Sequence, residues 1–504
     1  MLVTPSLDAA QAAYAAGQPV LLRATLVADL ETPVAAFLKL KAGREGAAFL
    51  LESVEGGAVR GRYSMIGLDP DLVWRCSGGT AERADAPDLD RFVPDDRPPL
   101  DSLRDLIAES AIPGDAALPP MAAGLFGYLG YDMVREMERL DPPKPDPIGV
   151  PDAILVRPTV MVVFDAVRDE IAVVTPLRPV PGQPAKAACE AALNRLERVA
   201  ETLEGPLPVE AWANPTEIPA PAPVSNTTPE EFHAMVARAK AYIAAGDIFQ
   251  VVLSQRFEAP FALPAFALYR SLRRVNPAPF LCYLDFGTFQ IVCSSPEILV
   301  RVRDGKVTIR PIAGTRRRGA TPEEDGALAE ELLADPKERA EHLMLLDLGR
   351  NDVGRVAQIG SVTVTDSFFL EYYSQVMHIV SNVEGRLDPR HDALGALVAG
   401  FPAGTVSGAP KVRAMQIIDE LEREKRGPYA GCIGYFGADG QMDTCIVLRT
   451  AVVKDGRMHV QAGAGIVHDS DPASEQQECV NKAKAQFRAA EEAVRFAAQA
   501  RRGQ

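Results

Sequence analysis

The sequence predicts an α+β protein in which large mixed or antiparallel sheets pack as a sandwich with flanking helices. Two observations predict this class. Runs rich in β-branched and aromatic residues alternate with helical patterns in both halves of the chain. Several of these runs are joined by short turns, such as V-R-D-G-K at residues 302–306, and short turns favour hairpins and antiparallel pairing.

Helices are predicted where apolar residues recur at helical spacing. The clearest helix start is the capping box T-P-E-E at residues 228–231, which has proline at the first helical position, and Gly246 ends this helix. The other predicted helices cover residues 187–203, 322–334, 336–348, 410–424 and 472–498.

Strands are predicted for short runs that are rich in β-branched or aromatic residues and end at turn residues. They cover residues 47–51, 154–156, 160–164, 171–174, 280–286, 290–293, 306–310, 376–380, 445–453 and 458–462.

A proline-rich stretch divides the chain of 504 residues. Six prolines lie between residues 205 and 224, and proline at that density continues neither a helix nor a central strand. The sequence therefore predicts an N-terminal domain over residues 1–204, a linker over 205–224 and a C-terminal domain over 225–495.

The composition of the chain limits the classes of molecule that it is expected to bind. Hydrophobic residues make up 47% and charged residues 24%, as in globular proteins with a sizeable core. The net charge of −15 disfavours binding to nucleic acid or to an anionic membrane. The seven cysteines form no C-x-x-C pair, and no apolar run is long enough to span a bilayer. These features predict a soluble, cytoplasmic protein.

Acidic residues on two predicted helices are candidate metal ligands. Glu341 shares the apolar face of its helix, where an unpaired carboxylate is costly. Glu475, Glu478 and Lys482 form one stripe on the last helix. One interpretation is a Mg²⁺ site, because Mg²⁺ takes one or two carboxylates and leaves positions for water and substrate. The other is a Glu478–Lys482 surface pair with a buried Glu341–arginine bridge, and the helix pattern alone favours it.

Two glycine-containing loops are candidate anion sites. Residues 401–411 (F-P-A-G-T-V-S-G-A-P-K) run into a helix start with Lys411 nearby. The G-A-G at residues 463–465 follows a predicted strand, where backbone N–H groups can approach a carboxylate. The alternative for both is a tight turn. Neither loop has the spacing of a dinucleotide or Walker phosphate site.

Two isolated residues have both a functional and a structural interpretation. His378 lies in an apolar, strand-like run, where a histidine is more often a core residue than a catalyst. Arg449 follows three apolar residues and is suited either to a bidentate contact with a carboxylate or to an ordinary ion pair.

These stretches together resemble the chorismate-binding enzymes and, within that family, the component I chains of anthranilate synthases. The resemblance extends over residues 225–490. It rests on residues 246–250 (G-D-I-F-Q), 295–297 (S-P-E), 311–316 (P-I-A-G-T-R), 341–352, His378, 401–411, 443–445, 449–450, 463–467 and 475–482.

The resemblance implies a substrate site and a metal. It implies that Glu341 and Glu478 bind Mg²⁺, with Glu475 close by, and that the metal holds the ring carboxylate of chorismate. The implied substrate-binding residues are Gly314, Thr315, Tyr429, Arg449, Gly463, Ala464 and Gly465.

The resemblance also implies catalytic residues. It implies that Glu297 assists departure of the C4 hydroxyl as a general acid and that His378 assists the elimination of pyruvate. It implies that Thr405 lies near the ring and that Lys482 supports the metal-binding helix. Gln250 stands where isochorismate and salicylate synthases carry a lysine base.

A second site is implied for tryptophan as a feedback inhibitor. Residues 50–53 (L-L-E-S) and 61–64 resemble the family segment that binds it together with residues 276–281 (N-P-A-P-F-L). Members commonly carry serine at position 278 and tyrosine or methionine at 280 and 281, so the sequence departs from the pattern there. The alternative is a strand end with a proline-rich turn. The implied inhibitor-binding residues are Glu52, Ser53, Asn276, Pro279, Phe280 and Leu281.

The implied function is the Mg²⁺-dependent amination of chorismate at C2 by ammonia, followed by loss of pyruvate to give anthranilate, the first step of tryptophan biosynthesis. The chain has no G-x-C-x-G nucleophile elbow. We therefore expect a separate glutamine amidotransferase subunit (component II) to supply ammonia, in a heterotetramer of two chains of each kind. The alternatives are component I of aminodeoxychorismate synthase, where family members carry lysine at the position of Ala313, an isochorismate or salicylate synthase, and a non-catalytic binding protein.

Overall fold

In a computed structural model, the chain is described for residues 2–55, 59–113, 118–208, 221–373 and 376–499. The middle of the predicted linker, residues 209–220, lies outside the described residues. Among the described residues no helix combines the length and the apolar character that crossing a bilayer requires.

The strands of the described residues are joined by hydrogen bonds into one extended, strongly curved sheet. They are β1 (Val3–Thr4), β2 (Val20–Val27), β3 (Ala48–Glu55), β4 (Val59–Ser77), β5 (Thr80–Asp85), β6 (Val93–Asp95), β7 (Gly124–Leu129), β8 (Ala153–Asp165), β9 (Glu170–Leu177), β10 (Val224–Ser225), β11 (Gln250–Pro260), β12 (Phe280–Asp285), β13 (Phe289–Ser295), β14 (Ile298–Arg303), β15 (Lys306–Ile309), β16 (Ile312–Arg317), β17 (Thr363–Tyr372), β18 (Val376–Arg386), β19 (Gly408–Ala409), β20 (Cys432–Gly437), β21 (Met442–Ile446), β22 (Thr450–Lys454) and β23 (Arg457–Ile466).

The helices flank this sheet. They are α1 (Leu7–Ala15), α2 (Pro33–Lys41), α3 (Pro99–Glu109), α4 (Ala185–Glu204), α5 (Pro229–Ala244), α6 (Ala265–Val275), α7 (Pro322–Ala334), α8 (Pro336–Gly354), α9 (Ala393–Gly400), α10 (Lys411–Leu421) and α11 (Pro472–Gln499). The predicted capping box is present, because the Thr228 hydroxyl accepts from the backbone of Glu231 and the Glu231 carboxylate accepts from that of Thr228.

The sheet folds into two layers because its longest strands bend. β4 and β8 pair along most of their length, and their register shifts between Pro70 and Leu72. The first part of β4 pairs with β3 and its last part with β5. A core built almost wholly of strand residues lies between the layers, where Phe49 of β3 stacks on Phe126 of β7 with ring centroids 4.7 Å apart.

Helices cover the two outer faces. One apolar cluster packs α3, α5, α8, α9 and α10 against the sheet, and a second packs α1, α2, α4 and α6. All strand pairings of the described residues are antiparallel. The predicted α+β sandwich with flanking helices is therefore confirmed.

Strands from both sides of the predicted linker pair with one another. β3 pairs with β12, which places Leu51 opposite Cys282, and β7 pairs with β20, which places Gly127 opposite Gly434. The division into two domains stays a prediction, but the sandwich is built jointly by residues before and after the linker.

One predicted strand is broken in the structure. Residues 445–453 were expected to be continuous, yet β21 ends at Ile446 and β22 begins at Thr450. Arg449 interrupts the run with a φ of 47°, in the left-handed region that side-chain-bearing residues seldom adopt. Arg449 therefore lies in the connection between β21 and β22 and not within a strand.

All seven cysteines are buried free thiols. The sulfur atoms of Cys282, Cys293 and Cys445 lie within 4.8 Å of one another, inside the strand-lined core. At this position they pack as small hydrophobic side chains.

Candidate active site

The candidate site lies where β11 and β23 run side by side beneath α8 and α11. Gln250 is buried, and its side-chain amide donates a 3.4 Å hydrogen bond to the Glu341 carboxylate. A Cβ atom on Gly465 would come within 2.4 Å of that amide, so any other residue there would displace the Gln250 side chain from its present position. The predicted G-A-G lies inside β23 and not after a strand, because it pairs with residues 252–254 of β11.

Glu341 is a carboxylate without an arginine partner among the described residues, so the structure does not contain the buried bridge considered above. Burial raises the pKa of Glu341, and the nearby carboxylates of Glu338 and Glu478 raise it further. Burial also raises the pKa of Glu475. The two helices thus hold carboxylates whose mutual repulsion a cation would relieve.

The other interpretation of the α11 stripe is partly correct. Lys482 and Glu478 form an ion pair of 2.7 Å, with both side chains nearly half exposed. The Lys482 ammonium group also donates to the Gly463 carbonyl at 3.0 Å, which ties α11 to β23. Lys482 therefore supports the helix that carries Glu475 and Glu478.

The glutamates are suited to Mg²⁺ as a hard, oxygen-binding cation. Among the described residues, the carboxylates of Glu341, Glu475 and Glu478 do not form a group in which one oxygen of each lies within 4.8 Å of both others. A cation shared by Glu341 and Glu478 would therefore complete its coordination with water and substrate oxygens, as Mg²⁺ commonly does.

His378 is held as one neutral tautomer. Its Nδ1 lies 3.0 Å from the Gly314 carbonyl and 3.0 Å from the Thr315 hydroxyl. A carbonyl only accepts hydrogen bonds, so Nδ1 carries the proton and Nε2 is the basic nitrogen. Burial, together with the positive charge of Arg449, lowers the pKa of His378 to about 4. Gly314 has a φ of 70°, which favours glycine at this turn.

Arg449 is a buried cation that lacks a carboxylate partner among the described residues. Burial lowers the pKa of its guanidinium, because a charge without a counter-charge is costly away from water. A bound anion would supply the missing partner. This arrangement favours the contact with a ligand carboxylate over the ordinary ion pair.

Glu297 lies in a small cavity with Thr405, next to the apolar face of α8. Burial raises the pKa of Glu297 from the ordinary value of 4.5 to about 8. At neutral pH this carboxyl group is therefore protonated and can donate a proton.

Tyr429 lines the other side of the site. A Cβ atom on Gly463 would lie 2.8 Å from the Tyr429 hydroxyl, so the ring closes directly over the glycine of β23. The Arg426 guanidinium lies 5.6 Å from the Tyr429 ring centroid.

A buried ion pair between Arg426 and Glu422, which was not predicted from the sequence, lies beneath the site. Arg426 donates to the Glu422 carboxylate at 2.8 Å and 2.5 Å, and to the backbone carbonyls of Val406 and Val252 at 2.7 Å each. Glu422 in turn accepts from the backbone and hydroxyl of Ser254. The available signal was the i,i+4 spacing of Glu422 and Arg426 just before Gly427.

Lys411 does not contribute to an anion site. Its ammonium group forms a 2.9 Å ion pair with buried Asp352 and donates to the Gly400 carbonyl. The prediction that Lys411 helps to bind an anion is therefore wrong, because its charge is already compensated.

The two predicted inhibitor-binding segments lie side by side. Antiparallel pairing of β3 with β12 places Ser53 opposite Phe280 and Glu52 opposite Leu281. The Glu52 carboxylate is buried and accepts from the Tyr269 hydroxyl at 2.5 Å and from Arg273 at 2.9 Å. The Ser53 hydroxyl donates to the Tyr63 carbonyl at 2.9 Å. The Glu52 carboxylate thus holds the β3 segment against α6 and does not point to free solvent.

Comparison with known proteins identifies relatives along the whole chain. The family described as chorismate binding enzyme matches residues 62–488. The chain is 56% identical to anthranilate synthase component 1 of Cereibacter sphaeroides over 501 residues, which are 99% of this chain and 100% of that protein. It is 47% identical to anthranilate synthase component 1 of Thermus thermophilus over 476 residues, 93% of this chain and 97% of that one.

Solved structures show the same fold. Anthranilate synthase component I from Streptococcus pneumoniae superimposes with a TM-score of 0.74 at 38% identity, covering 92% of this chain and 99% of that one. The menaquinone-specific isochorismate synthase from Escherichia coli superimposes with a TM-score of 0.70 at 20% identity, covering 96% and 99%. The second likeness concerns the fold alone.

Replacing Glu297 by Gln should remove a pH dependence of stability. The folded state keeps the Glu297 proton up to a pKa of about 8, whereas the unfolded state releases it near 4.5. The free energy of unfolding of the parent, relative to that of Glu297→Gln, should therefore fall by about 1.4 kcal/mol per pH unit from about pH 5 to about pH 8. Urea denaturation of both proteins across this range measures the difference. A flat difference between the parent and Glu297→Gln would show that Glu297 is not protonated when folded.

Proposed function

The chain belongs to the chorismate-binding enzymes, and on that basis we propose that it catalyses the anthranilate synthase reaction with ammonia as its nucleophile. The observation that carries this proposal is a full-length relative, 56% identical, that is named anthranilate synthase component 1. Gln250 and Ala313 support the choice of product, because neither side chain is a base or a nucleophile. Glutamine at 250 cannot activate water, and alanine at 313 cannot attack the ring.

Substrate binding would use the groups that the fold leaves without partners. Chorismate is a dianion, and the buried Arg449 guanidinium is a cation with no carboxylate partner among the described residues. Tyr429, Thr315 and the backbone of Gly463–Gly465 line the same site. In a chain of net charge −15, local cationic groups of this kind hold an anionic substrate against the mean field.

Mg²⁺, held by Glu341 and Glu478 with Glu475 close by, would bind the ring carboxylate and neutralise its charge. Burial and mutual repulsion of these carboxylates support the assignment. Lys482 keeps α11 in place through its hydrogen bond to Gly463.

The first step forms the bond from ammonia to C2 and breaks the bond from C4 to its hydroxyl oxygen. Glu297 is protonated at neutral pH and donates its proton to the departing hydroxyl, which leaves as water. Thr405 lines the same cavity as Glu297 and would lie near the ring of a bound substrate. The product of this step is an aminated intermediate.

The second step releases pyruvate from the aminated intermediate and leaves an aromatic ring. It requires removal of the ring proton from C2. His378 is neutral at neutral pH and has an unprotonated Nε2, since Nδ1 donates to Gly314. His378 therefore acts as the base or orients the group that is.

Ammonia comes from a second chain. The chain has no cysteine nucleophile elbow, and the component 1 name of its relatives implies a component 2. We infer a glutamine amidotransferase partner in a cytoplasmic heterotetramer of two chains of each kind. Tryptophan would inhibit by binding where β3 and β12 pair, at Ser53 and residues 276–281.

The product formed from chorismate distinguishes the proposed function from the alternative functions. With chorismate, Mg²⁺ and an ammonium salt at alkaline pH, the purified chain should form anthranilate and pyruvate in equal amounts. With glutamine in place of ammonium, the chain alone should form neither. Anthranilate fluorescence and mass spectrometry measure both. Formation of 4-amino-4-deoxychorismate or isochorismate would contradict the proposal.

Replacing Glu341 or Glu478 by Gln should lower kcat/KM for chorismate by at least about 100-fold at any practical Mg²⁺ concentration, because charged ligands are lost. Glu491→Gln, on an exposed position of α11, is the matched control and should keep the parent rate. Initial rates across a Mg²⁺ titration make the comparison. Parent-like activity of Glu341→Gln or Glu478→Gln would remove the metal assignment.

His378→Met should separate the two steps. Methionine fills the position but has no basic nitrogen, so chorismate should still be consumed while 2-amino-2-deoxyisochorismate accumulates. Mass spectrometry of the reaction mixture measures the accumulation. Anthranilate formation by the variant at the parent rate would exclude His378 from the second step and leave the overall function intact.

A further inference from the structure

Ser294 lies between the segment proposed for the inhibitor and the substrate site. It belongs to β13, it is 0% exposed, and its register partner on β12 is Leu281. Leu281 is itself paired with Glu52 of β3. Ser294 is therefore one strand removed from the proposed inhibitor segment.

On one side, the Ser294 side chain contacts Asn276. Its hydroxyl donates to the Asn276 carbonyl at 2.5 Å and accepts from the Asn276 side-chain amide at 3.3 Å. One buried hydroxyl thus satisfies two polar groups of Asn276, the residue that ends α6 and begins the segment 276–281.

On the other side, the Ser294 backbone contacts Arg449. Its N–H group donates to the Arg449 carbonyl at 3.2 Å. Arg449 has a φ of 47°, a conformation that persists only where surrounding contacts hold it. The position of its guanidinium therefore depends on its backbone contacts, of which the one to Ser294 comes from β13.

Neighbouring contacts make the connection stiff. The Ser295 hydroxyl donates to the Ile446 carbonyl at 2.6 Å, and the Thr450 hydroxyl donates to the Leu448 carbonyl at 2.8 Å. The connection between β21 and β22 is thus held at both ends, on one side by β13. A displacement of β13 at Ser294 would move the backbone that presents Arg449.

We propose that Ser294 is a positioning residue that couples Asn276 to Arg449, so that an amino acid bound beside Asn276 weakens the binding of chorismate. The inference rests on the proposed function, since it takes Arg449 as a contact of the substrate carboxylate. Coupling of this kind is reciprocal. Tryptophan should raise the Kd for chorismate by the factor by which chorismate raises the Kd of tryptophan, and the KM for chorismate follows its Kd where chemistry is slower than substrate dissociation.

The test separates tryptophan binding from its effect. In the parent, tryptophan should raise the chorismate KM by on the order of ten-fold. Ser294→Ala keeps the backbone N–H group that contacts Arg449 and removes the hydroxyl that contacts Asn276. We expect the variant to bind tryptophan with a Kd within about three-fold of the parent and to keep its kcat, while the effect of tryptophan on KM falls below about two-fold. Calorimetry and initial rates measure these quantities.

Two controls bracket this result. Ser102→Ala removes another buried hydroxyl, which accepts from the Trp74 ring at 3.1 Å in the N-terminal part of the chain, and should keep full inhibition. Ser53→Phe should lose binding and inhibition together, because it fills the inhibitor segment. If Ser294→Ala does not fold, Ser294→Cys, whose thiol is a weak hydrogen-bonding group, should show the same loss of inhibition with tryptophan binding retained.

The possible outcomes test the role of Ser294 and the proposed function separately. If tryptophan raises the KM of a folded Ser294 variant as much as that of the parent, coupling does not depend on this hydroxyl and the inference is wrong. If the parent forms anthranilate but neither binds nor responds to tryptophan, the inference is wrong and the function stands. If the parent forms no anthranilate under any condition, the proposed function itself fails.

Discussion

The Arg426 guanidinium joins three separate segments of the chain beneath the candidate site. It is fully buried and joins Glu422, the carbonyl of Val252 on β11 and the carbonyl of Val406 next to Thr405. Removing one partner of such a pair costs about 3–5 kcal/mol, because the other charge is left without compensation in the interior. The strand that carries Gln250, the turn that carries Thr405 and the ring of Tyr429 are therefore fixed relative to one another before any substrate binds.

Around this fixed framework, burial determines the charge states of three groups of the candidate site. Burial keeps Glu297 protonated and His378 neutral, and it leaves Arg449 charged without a carboxylate among the described residues. Burial favours the neutral forms of Glu297 and His378, which are the forms that can donate and accept a proton at neutral pH. Only the Arg449 charge is costly to the folded protein, and a bound anion would compensate it.

Structure that depends on neighbouring residues was predictable from the sequence, whereas contacts between distant segments were not. The helix start at Thr228 followed from its capping box and the proline after it, because these interactions lie within four residues of each other. The break at Arg449 was missed because nothing in an apolar run marks a positive φ. Sequence pattern gave Glu341, His378 and Arg449 as candidates with competing structural interpretations, and only the resemblance implied a role for each. Their partners, such as Gly314 for His378, depend on the pairing of β16 with β18.

The pairing of β3 with β12 explains why two segments more than two hundred residues apart belong to one site. Antiparallel register alternates side chains between faces, so a slip of one residue would exchange the faces of Glu52 and Ser53. Glu52 locks the register, since its buried carboxylate must reach Tyr269 and Arg273 on α6. The next strand, β13, pairs with β12 and carries Ser294, and Glu297 follows shortly after its end. Ser53 is therefore two strands from Ser294, and the coupling that we propose would pass through this sheet.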